Sequence, residues 1–220
     1  NIRHKAEEGR RTGIGITAEG DMLAALDLKY GSEDAIDFSE EVHKTVALEA
    51  YRSSVNLAKE RGPFPIYSPE REKNNPLIRR IHHVDPELYE EMISYGRRNI
   101  ALLTIAPTGT TSLMTQTTSG IEPVFMPVYR RRRKVNPNDK DIRVDYVDEV
   151  GDHWEEYTVF HHKFRTWMEV NGISMKADYT PEELDNMVKK SPYFQATSND
   201  VDWVAKVHMQ GRIQKWVDHS

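Results

Sequence analysis

The feature that most constrains the fold is an apolar stretch that runs directly into a segment rich in hydroxyl groups. Residues 100 to 105 read IALLTI, and residues 106 to 123 read APTGTTSLMTQTTSGIEP. The second segment carries a single charged residue, Glu122, although 30% of the chain is charged. An apolar strand followed by small hydroxyl residues predicts a buried strand that leads through a turn into a short helix.

The turn after this strand is suited to binding phosphate. Backbone N–H groups at the start of a helix point at an anion, and the helix dipole adds attraction. Gly109 would let the backbone approach a ligand closely. Hydroxyl donors could come from Thr108, Thr110, Thr111 and Ser112. The segment lacks the GK[ST] of a Walker loop, and a buried turn capped by its own hydroxyls is the alternative interpretation.

The spacing of apolar residues and the helix-capping residues predict the remaining elements. A capping pair of Asp37 and Glu40 predicts the start of a long helix over residues 38–61, and Thr180 with Glu183 predicts another helix start. Residues 136–151 suggest a turn and a charged hairpin. Further helices are expected over residues 86–95, 113–119 (with Gly120 as its stop), 157–171, 181–190 and 200–218, and an extended segment over residues 124–135.

Composition narrows the classes of function. The 220 residues carry a net charge of −5, which gives no general attraction to nucleic acid or anionic membranes, so we expect neither as a partner. The absence of cysteine excludes disulfides, thiolate metal sites and cysteine nucleophiles within this chain. Hydrophobic residues make up 38% and the mean hydropathy is −0.70, so we expect residues outside the chain to complete its core.

Targeting signals are also missing from the sequence. No apolar run approaches the length of a membrane span, and no signal peptide follows the first residue, which together predict a cytoplasmic protein. Asn1 in place of methionine predicts a piece of a longer protein. No internal repeat or linker divides the chain, so we expect a single domain, or part of one, over residues 1–220.

Three other motifs are better explained by structure than by chemistry. The glycines of GIGITAEG do not have the G-x-G-x-x-G spacing of a dinucleotide-binding turn, so a structural strand, turn and helix are expected. The run RRRRK at residues 130–134 is interpreted as a solvated strand face or a set of ion-pair partners. The adjacent pairs His82-His83 and His161-His162 chelate poorly, because neighbouring residues point in different directions, and no carboxylate lies at a useful spacing.

Several blocks of the sequence resemble the large catalytic chain of ribonucleotide reductase. They occur in the family's order and cover residues 10 to 220: RRTGIGITAEGDMLAALDLKYGSEDA, EAYRSSVNLAKERGPFP, RRNIALLTIAPTGTTSLMTQTTSGIEPVF and QGRIQKWVDHS. The sequence motif APTGTTS most resembles that of the branch that depends on adenosylcobalamin. The resemblance implies an α/β fold, namely a ten-stranded α/β barrel of which residues 1–220 form the C-terminal part, with GIGIT as a barrel strand.

The resemblance also implies a substrate site. The phosphates of a ribonucleoside di- or triphosphate would be held by Pro107, Thr108, Gly109, Thr110 and Thr111. The segment SGIEP, residues 119 to 123, would shape this loop and pack against the barrel.

In the intact enzyme the resemblance implies thiyl-radical chemistry. Adenosylcobalamin would generate the radical, a cysteine would abstract the 3′ hydrogen of the ribose, and a cysteine pair would reduce the sugar, with a thioredoxin-type reductant as partner. The first of these cysteines, with its asparagine and glutamate, would lie in an upstream part of the catalytic chain. We therefore expect the 220-residue chain alone to be inactive and to contribute the positioning of the phosphates.

Two alternatives make different predictions. The large chain of a metal-dependent reductase would need a separate subunit that generates the radical. A non-catalytic phosphate- or nucleic-acid-binding module built on RRRRK would show salt-sensitive binding to DNA or RNA.

Overall fold

The computed structural model describes residues 1–136, 138, 141–175 and 179–218. Its helices are α1 (Ile2–Gly9), α2 (Glu19–Ala25), α3 (Glu33–Arg61), α4 (Pro69–Glu72), α5 (Pro76–Val84), α6 (Pro86–Tyr95), α7 (Gly109–Thr115), α8 (His162–Val170), α9 (Pro181–Lys190) and α10 (Trp203–Gln214). Its strands are β1 (Val128–Lys134), β2 (Tyr146–Val147) and β3 (His153–Phe160). Across the described ranges, no helix combines the length and the apolar character needed to span a bilayer.

Two extended segments run side by side ahead of the hydroxyl-rich loop. The Ile14 N–H donates to the Leu102 carbonyl at 2.7 Å, and the Thr104 N–H donates to the Ile14 carbonyl at 2.9 Å. Ile14 and Leu103 form a parallel bridge. The apolar stretch at residues 100 to 105 is therefore extended, as expected, and it pairs through backbone hydrogen bonds with residues 9–14.

Glycine is required where these two segments meet. A Cβ on Gly15 would lie 2.6 Å from the carbonyl oxygen of Thr104, and a Cβ on Gly13 would lie 3.1 Å from the Thr104 methyl group. The glycines of GIGIT therefore permit close approach of two backbones. The structural interpretation of this motif is confirmed.

Helix α3 begins at an earlier cap than the sequence predicts. The Ser32 hydroxyl accepts a hydrogen bond from the Ala35 N–H and caps the first turn. The expected capping pair, Asp37 and Glu40, lies inside the helix, and both carboxylates instead form ion pairs with Arg212 of α10. The prediction of a start near residue 38 is therefore wrong, because these acidic residues serve a contact between helices.

The larger hydrophobic core surrounds the two extended segments. Helix α3 packs against α6 and α10, and α5 packs against α6. Fully buried members of this core include Leu23, Tyr51, Val55, Ile81, Leu88, Met209 and Ile213. The buried stripe of α3 passes through Val55 and Ala58, and it leaves Leu57 37% exposed.

A buried arginine braces the approach to the strand at residues 100 to 105. The Arg97 guanidinium pairs with both carboxylate oxygens of Glu72. It also donates to the carbonyls of Asn99 and Ile100 at 3.1 and 3.0 Å. The guanidinium carbon lies 5.4 Å from the ring centroid of Tyr51, so the charge is enclosed by partners on several sides.

The second part of the fold is a three-stranded antiparallel sheet with α8 and α9. The strand order is β1-β3-β2, with Val128 opposite Phe160. The sequence predicts a helix from residue 157, which is wrong for residues 157–160, because the β-prone run YTVF pairs with β1 and α8 begins only at His162. The expected hairpin over residues 136–151 includes Pro137, Asp139 and Lys140, which lie outside the described residues. Within that range, β2 pairs with the first two residues of β3.

The basic run on β1 is paired with acidic residues of the neighbouring chain segments. Arg132 bonds Glu156 at 2.7 Å, and Arg133 bonds Glu155 at 2.6 Å, across the two strands. Lys134 bonds Asp152 at 2.6 Å. The interpretation of RRRRK as a solvated strand face with ion-pair partners is confirmed.

Helix α9 starts where the sequence predicts. The Thr180 hydroxyl accepts from the Glu183 N–H, and the Glu183 carboxylate accepts from the Thr180 N–H, which completes a capping box. With α8 and part of the sheet, α9 forms a second hydrophobic cluster that includes Phe164, Met168 and Tyr193.

Candidate functional site

Helix α7 begins inside the hydroxyl-rich segment and earlier than expected. It spans Gly109–Thr115, whereas the sequence predicts a helix over residues 113–119. Gln116, with φ of 57°, ends the helix, so the assignment of Gly120 as its stop is wrong. The helix therefore starts directly at the turn that follows the extended segment.

Three consecutive backbone donors at this turn have no partner among the described residues. The N–H groups of Gly109, Thr110 and Thr111 form no hydrogen bond there, and all three residues are exposed. The first donor to be used is the Ser112 N–H, which bonds the Thr108 carbonyl at 2.8 Å. Free N–H groups on the first turn of a helix are the arrangement that binds anions.

Thr108 holds the turn in an unusual backbone conformation. Its φ of 49° lies in the left-handed region, where a residue other than glycine costs about 1 kcal/mol. Its hydroxyl accepts from the Gly120 N–H at 2.7 Å and donates to the Thr17 hydroxyl at 3.1 Å. These bonds fix the conformation and leave the Thr108 hydroxyl with a structural role.

The four hydroxyl groups expected to face a ligand divide into two pairs. The buried Ser112 hydroxyl donates to the Gly109 carbonyl at 2.9 Å and lies 2.9 Å from the Ser119 hydroxyl. Like that of Thr108, it is committed within the loop. Thr110 and Thr111 are exposed and belong to the same turn as the free N–H groups. A ligand at this turn would therefore meet two hydroxyls and three N–H groups.

Residues 118–120, here called the return limb of the hydroxyl-rich loop, are hydrogen-bonded to the residues at the start of α2. The Thr118 carbonyl accepts from the Thr17 hydroxyl at 3.0 Å and from the Ala18 N–H at 3.1 Å. The Gly120 carbonyl accepts from the Glu19 N–H at 3.3 Å. The segment TAEGD, which spans the turn and the start of α2, therefore holds the hydroxyl-rich loop against the core.

The segment SGIEP connects the end of the loop to the larger core. Ile121 is buried in the larger core, and its carbonyl accepts from the Tyr30 hydroxyl at 2.6 Å. Burial, with smaller contributions from the charges of Glu19 and Glu122, raises the pKa of Tyr30 above its ordinary value. Tyr30 therefore stays a hydrogen-bond donor that anchors the end of the loop.

Sequence reasoning missed Asp21, which is hydrogen-bonded to the loop at Thr118. Its carboxylate accepts from the Thr118 N–H at 2.8 Å, and its own N–H donates to the Thr118 hydroxyl at 3.3 Å. The available signal was an acidic residue next to the apolar run MLAAL, where a charge must find partners if it is buried.

The histidine pairs do not form a chelating site. His82 stacks on Tyr89 with ring centroids 4.0 Å apart. His161 has a carboxylate partner that its local spacing could not reveal, since its Nε2 lies 2.7 Å from Asp21 Oδ1, 140 residues away in sequence. In the part of the chain that the structure describes, no three His, Asp or Glu side chains come together so that they could hold a metal ion.

Comparison with known proteins identifies the family to which this chain belongs. The family described as "Ribonucleotide reductase, barrel domain" matches residues 1–220. The chain is 33% identical over 217 residues to a vitamin B12-dependent ribonucleoside-diphosphate reductase of Thermoplasma acidophilum, covering 95% of this chain and 23% of the relative. It is 32% identical over 126 residues to a protein of the same name from Mycobacterium tuberculosis, covering 57% of this chain and 16% of the relative.

A third relative carries a different name. The ribonucleoside-diphosphate reductase subunit alpha of Chlamydia pneumoniae is 26% identical over 241 residues, which cover 99% of this chain and 21% of that protein. The chain thus spans about a sixth to a quarter of the length of these curated relatives.

Proposed function

The chain belongs to the ribonucleotide reductase barrel-domain family, and we propose that it is the part of a reductase that holds the phosphates of the substrate. The proposed site consists of Pro107, Thr108, Gly109, Thr110 and Thr111. The observation that carries the proposal is the set of three unpartnered N–H groups on the first turn of α7. The substrate class is a ribonucleoside di- or triphosphate, and the names of the relatives favour the diphosphate.

Each residue of the turn has its own part in this proposal. The N–H groups of Gly109, Thr110 and Thr111 donate to phosphate oxygens, and the hydroxyls of the two threonines add further donors. Pro107 has no N–H and restricts the backbone that enters the turn. Thr108 sets the direction of the free N–H groups through its left-handed conformation.

The position of the turn in the fold supports this assignment. We propose that residues 9–16 and 100–105 are neighbouring parallel strands of the ten-stranded barrel and that residues 1–220 form its C-terminal part. The turn follows the carboxyl end of the second strand, which is the edge of a parallel sheet where ligands usually bind. Holding the phosphates there would place the ribose for reaction.

The radical chemistry is proposed to come from outside this chain. The names of the Thermoplasma and Mycobacterium relatives support an enzyme that depends on adenosylcobalamin, which supplies the radical when bound. The chain has no cysteine, so the reacting thiols and the site of a thioredoxin-type reductant belong to other parts of the intact enzyme, and the chain alone is expected to be inactive.

We assign no residue of this chain to the cobalamin. The groove of about 1050 Å³ beside the antiparallel sheet is lined by charged groups that pair with one another, such as Arg143 with Asp145 at 2.8 Å. The rest of its lining is mixed, from His162 and Arg165 to Val159 and Phe160, which does not single out a corrin as the ligand. The alternative branch, supported by the name of the Chlamydia relative, is tested by asking whether activity requires adenosylcobalamin or a separate radical-generating subunit.

The phosphate site is tested by a matched pair of substitutions in the full-length reductase that carries this chain. A Cβ on Gly109 meets nothing within 4 Å, and the residue is exposed, so Gly109→Glu and Gly109→Gln both begin in open space. The two side chains have nearly the same size, but only glutamate repels a phosphate. We expect Gly109→Glu to raise the KM for the ribonucleotide at least about tenfold above that of Gly109→Gln.

Inorganic pyrophosphate, used as a competitive inhibitor, separates binding of phosphate from binding of the rest of the nucleotide. Its Ki should rise in parallel with the KM in Gly109→Glu. Equal KM values for the glutamate and glutamine variants, with both proteins folded, would remove the phosphate-binding role from this turn.

A further inference from the structure

Asp21 is a buried carboxylate at which three separate parts of the chain converge. It lies at the start of α2 and is 6% exposed. Its Oδ2 accepts from the Thr118 N–H at 2.8 Å. Its Oδ1 accepts from the Tyr193 hydroxyl at 2.8 Å and lies 2.7 Å from His161 Nε2. A buried charge is tolerated only when it is satisfied in this way.

The partners of Asp21 beyond the loop are themselves firmly placed. Tyr193 is a buried member of the second hydrophobic cluster, and burial, reinforced by Asp21, raises the pKa of its hydroxyl well above the ordinary value. It therefore remains a donor. His161 packs edge-on against Tyr193 with ring centroids 5.8 Å apart and precedes α8. The carboxylate thus ties the loop to the part of the fold built from α8, α9 and the sheet.

A short series of hydrogen bonds connects Asp21 to the turn. Thr118, which Asp21 holds through the backbone N–H, lies two residues before Gly120. The Gly120 N–H bonds the Thr108 hydroxyl, and Thr108 is the left-handed residue that precedes the three free N–H groups. A shift of the return limb would therefore be transmitted to Thr108 and to the direction of those donors.

We infer that Asp21 is a positioning residue for the substrate phosphates: by anchoring Thr118 to Tyr193 and His161, it fixes the return limb and so the orientation of the donors at residues 109–111. The inference rests on the proposed function of that turn. Asp21 acts through the loop and makes no contact with substrate. Its loss should weaken phosphate binding in protein that is still folded.

The test is made in the full-length reductase with Asp21→Asn, which keeps the size of the side chain but leaves one acceptor oxygen for three donors. We expect the KM for the ribonucleotide and the Ki of inorganic pyrophosphate both to rise about tenfold or more, with a smaller change in kcat per folded enzyme, because small displacements of a positioning group are costly. Tyr193→Phe removes one donor, keeps the ring, and should give a smaller rise in the same two constants.

Asp148→Asn is the matched control. Asp148 also accepts three hydrogen bonds, from the N–H groups of Val150 and Asp152 and from the Trp154 indole, but none from the described residues of the hydroxyl-rich loop. This variant should lower the melting temperature and leave KM and Ki unchanged.

The outcomes separate the inference from the proposed function. If Asp21→Asn and Tyr193→Phe lower the melting temperature but leave KM and Ki unchanged, as Asp148→Asn should, Asp21 is merely structural and the inference is wrong. If Asp21→Asn does not fold, Tyr193→Phe decides by the same criterion. If Gly109→Glu also leaves KM unchanged, the phosphate-binding function of the turn fails first.

Discussion

The strand at residues 100–105 and the turn at 107–111 treat their backbone donors in opposite ways. The N–H groups of Leu102 and Leu103 both donate to the Asp218 carboxylate at 2.8 Å, which also accepts from the Tyr51 hydroxyl at 2.5 Å. A few residues later, the N–H groups of residues 109–111 have no acceptor among the described residues. The protein therefore supplies its own anion to the strand and leaves the turn open to one from outside.

The difference extends to what supports each region. The strand is backed by the larger core and braced by the buried ion pair of Arg97 and Glu72. The turn is exposed, and its conformation depends on hydrogen bonds from the Thr17–Asp21 segment. Damage to the strand supports should therefore appear mainly as lost stability, and damage to the turn mainly as lost phosphate binding.

The largest effect is expected when the brace under the strand is removed. Arg97→Met keeps the length of the side chain but leaves the mostly buried Glu72 carboxylate without its partner. We expect a loss of about 3–5 kcal/mol in the free energy of unfolding, measured by urea denaturation. Arg132→Met on the exposed sheet face is the control and should cost much less, because solvent screens an exposed ion pair. Equal losses in the two variants would contradict the contrast between buried and exposed pairs.

A smaller effect is expected when the internal anion of the strand is weakened. Asp218→Asn leaves one acceptor oxygen for three donors, so we expect a loss of about 1–3 kcal/mol. Amide hydrogen exchange should become faster at Leu102 and Leu103, while residues 109–111 exchange fast in both proteins. Slow exchange at residues 109–111 in the native protein would contradict the claim that their N–H groups are open.

Local signals in the sequence predicted some elements well. The capping box of Thr180 and Glu183, the helix at Pro86–Tyr95 and the position of the hydroxyl-rich turn after an apolar strand all follow from neighbouring residues. The start of α7 could not be read in this way, because Thr108 is held by Gly120 and Thr17 rather than by a local cap. Bonds between distant residues decide such details.

The same limit explains why the supports of the site were missed. Asp21 meets His161 and Tyr193, and Asp218 meets Leu102, across more than a hundred residues of sequence. The apolar run beside Asp21 indicates only that a buried charge would need partners, and no local pattern tells which distant residues those partners are. Periodicity also favoured a helix at residues 157–160, where pairing with β1 made a strand.

Glu19, in the segment that supports the loop, contrasts with Asp218 beneath the strand, because it is a buried carboxylate without the hydrogen-bond donors that Asp218 has. It is fully buried, and neither of its oxygens accepts a hydrogen bond from a described residue. Burial raises the pKa of Glu19 above its ordinary 4.5, and Ser39 and His43 oppose that rise only in part. The folded state therefore keeps a proton that the unfolded state loses above about pH 4.5.

It follows that Glu19 makes the protein less stable as pH rises from about 4.5 toward its raised folded pKa, by at most about 1.4 kcal/mol per pH unit. Glu19→Gln cannot ionise, so its stability relative to the native protein should increase through that window and stay constant below it. Urea denaturation at a series of pH values measures this difference, with the exposed Glu60→Gln as control for the loss of one charge. A difference that shrinks as pH rises would mean that the Glu19 carboxylate is stabilised when ionised, and the two regions would then satisfy their buried anions alike.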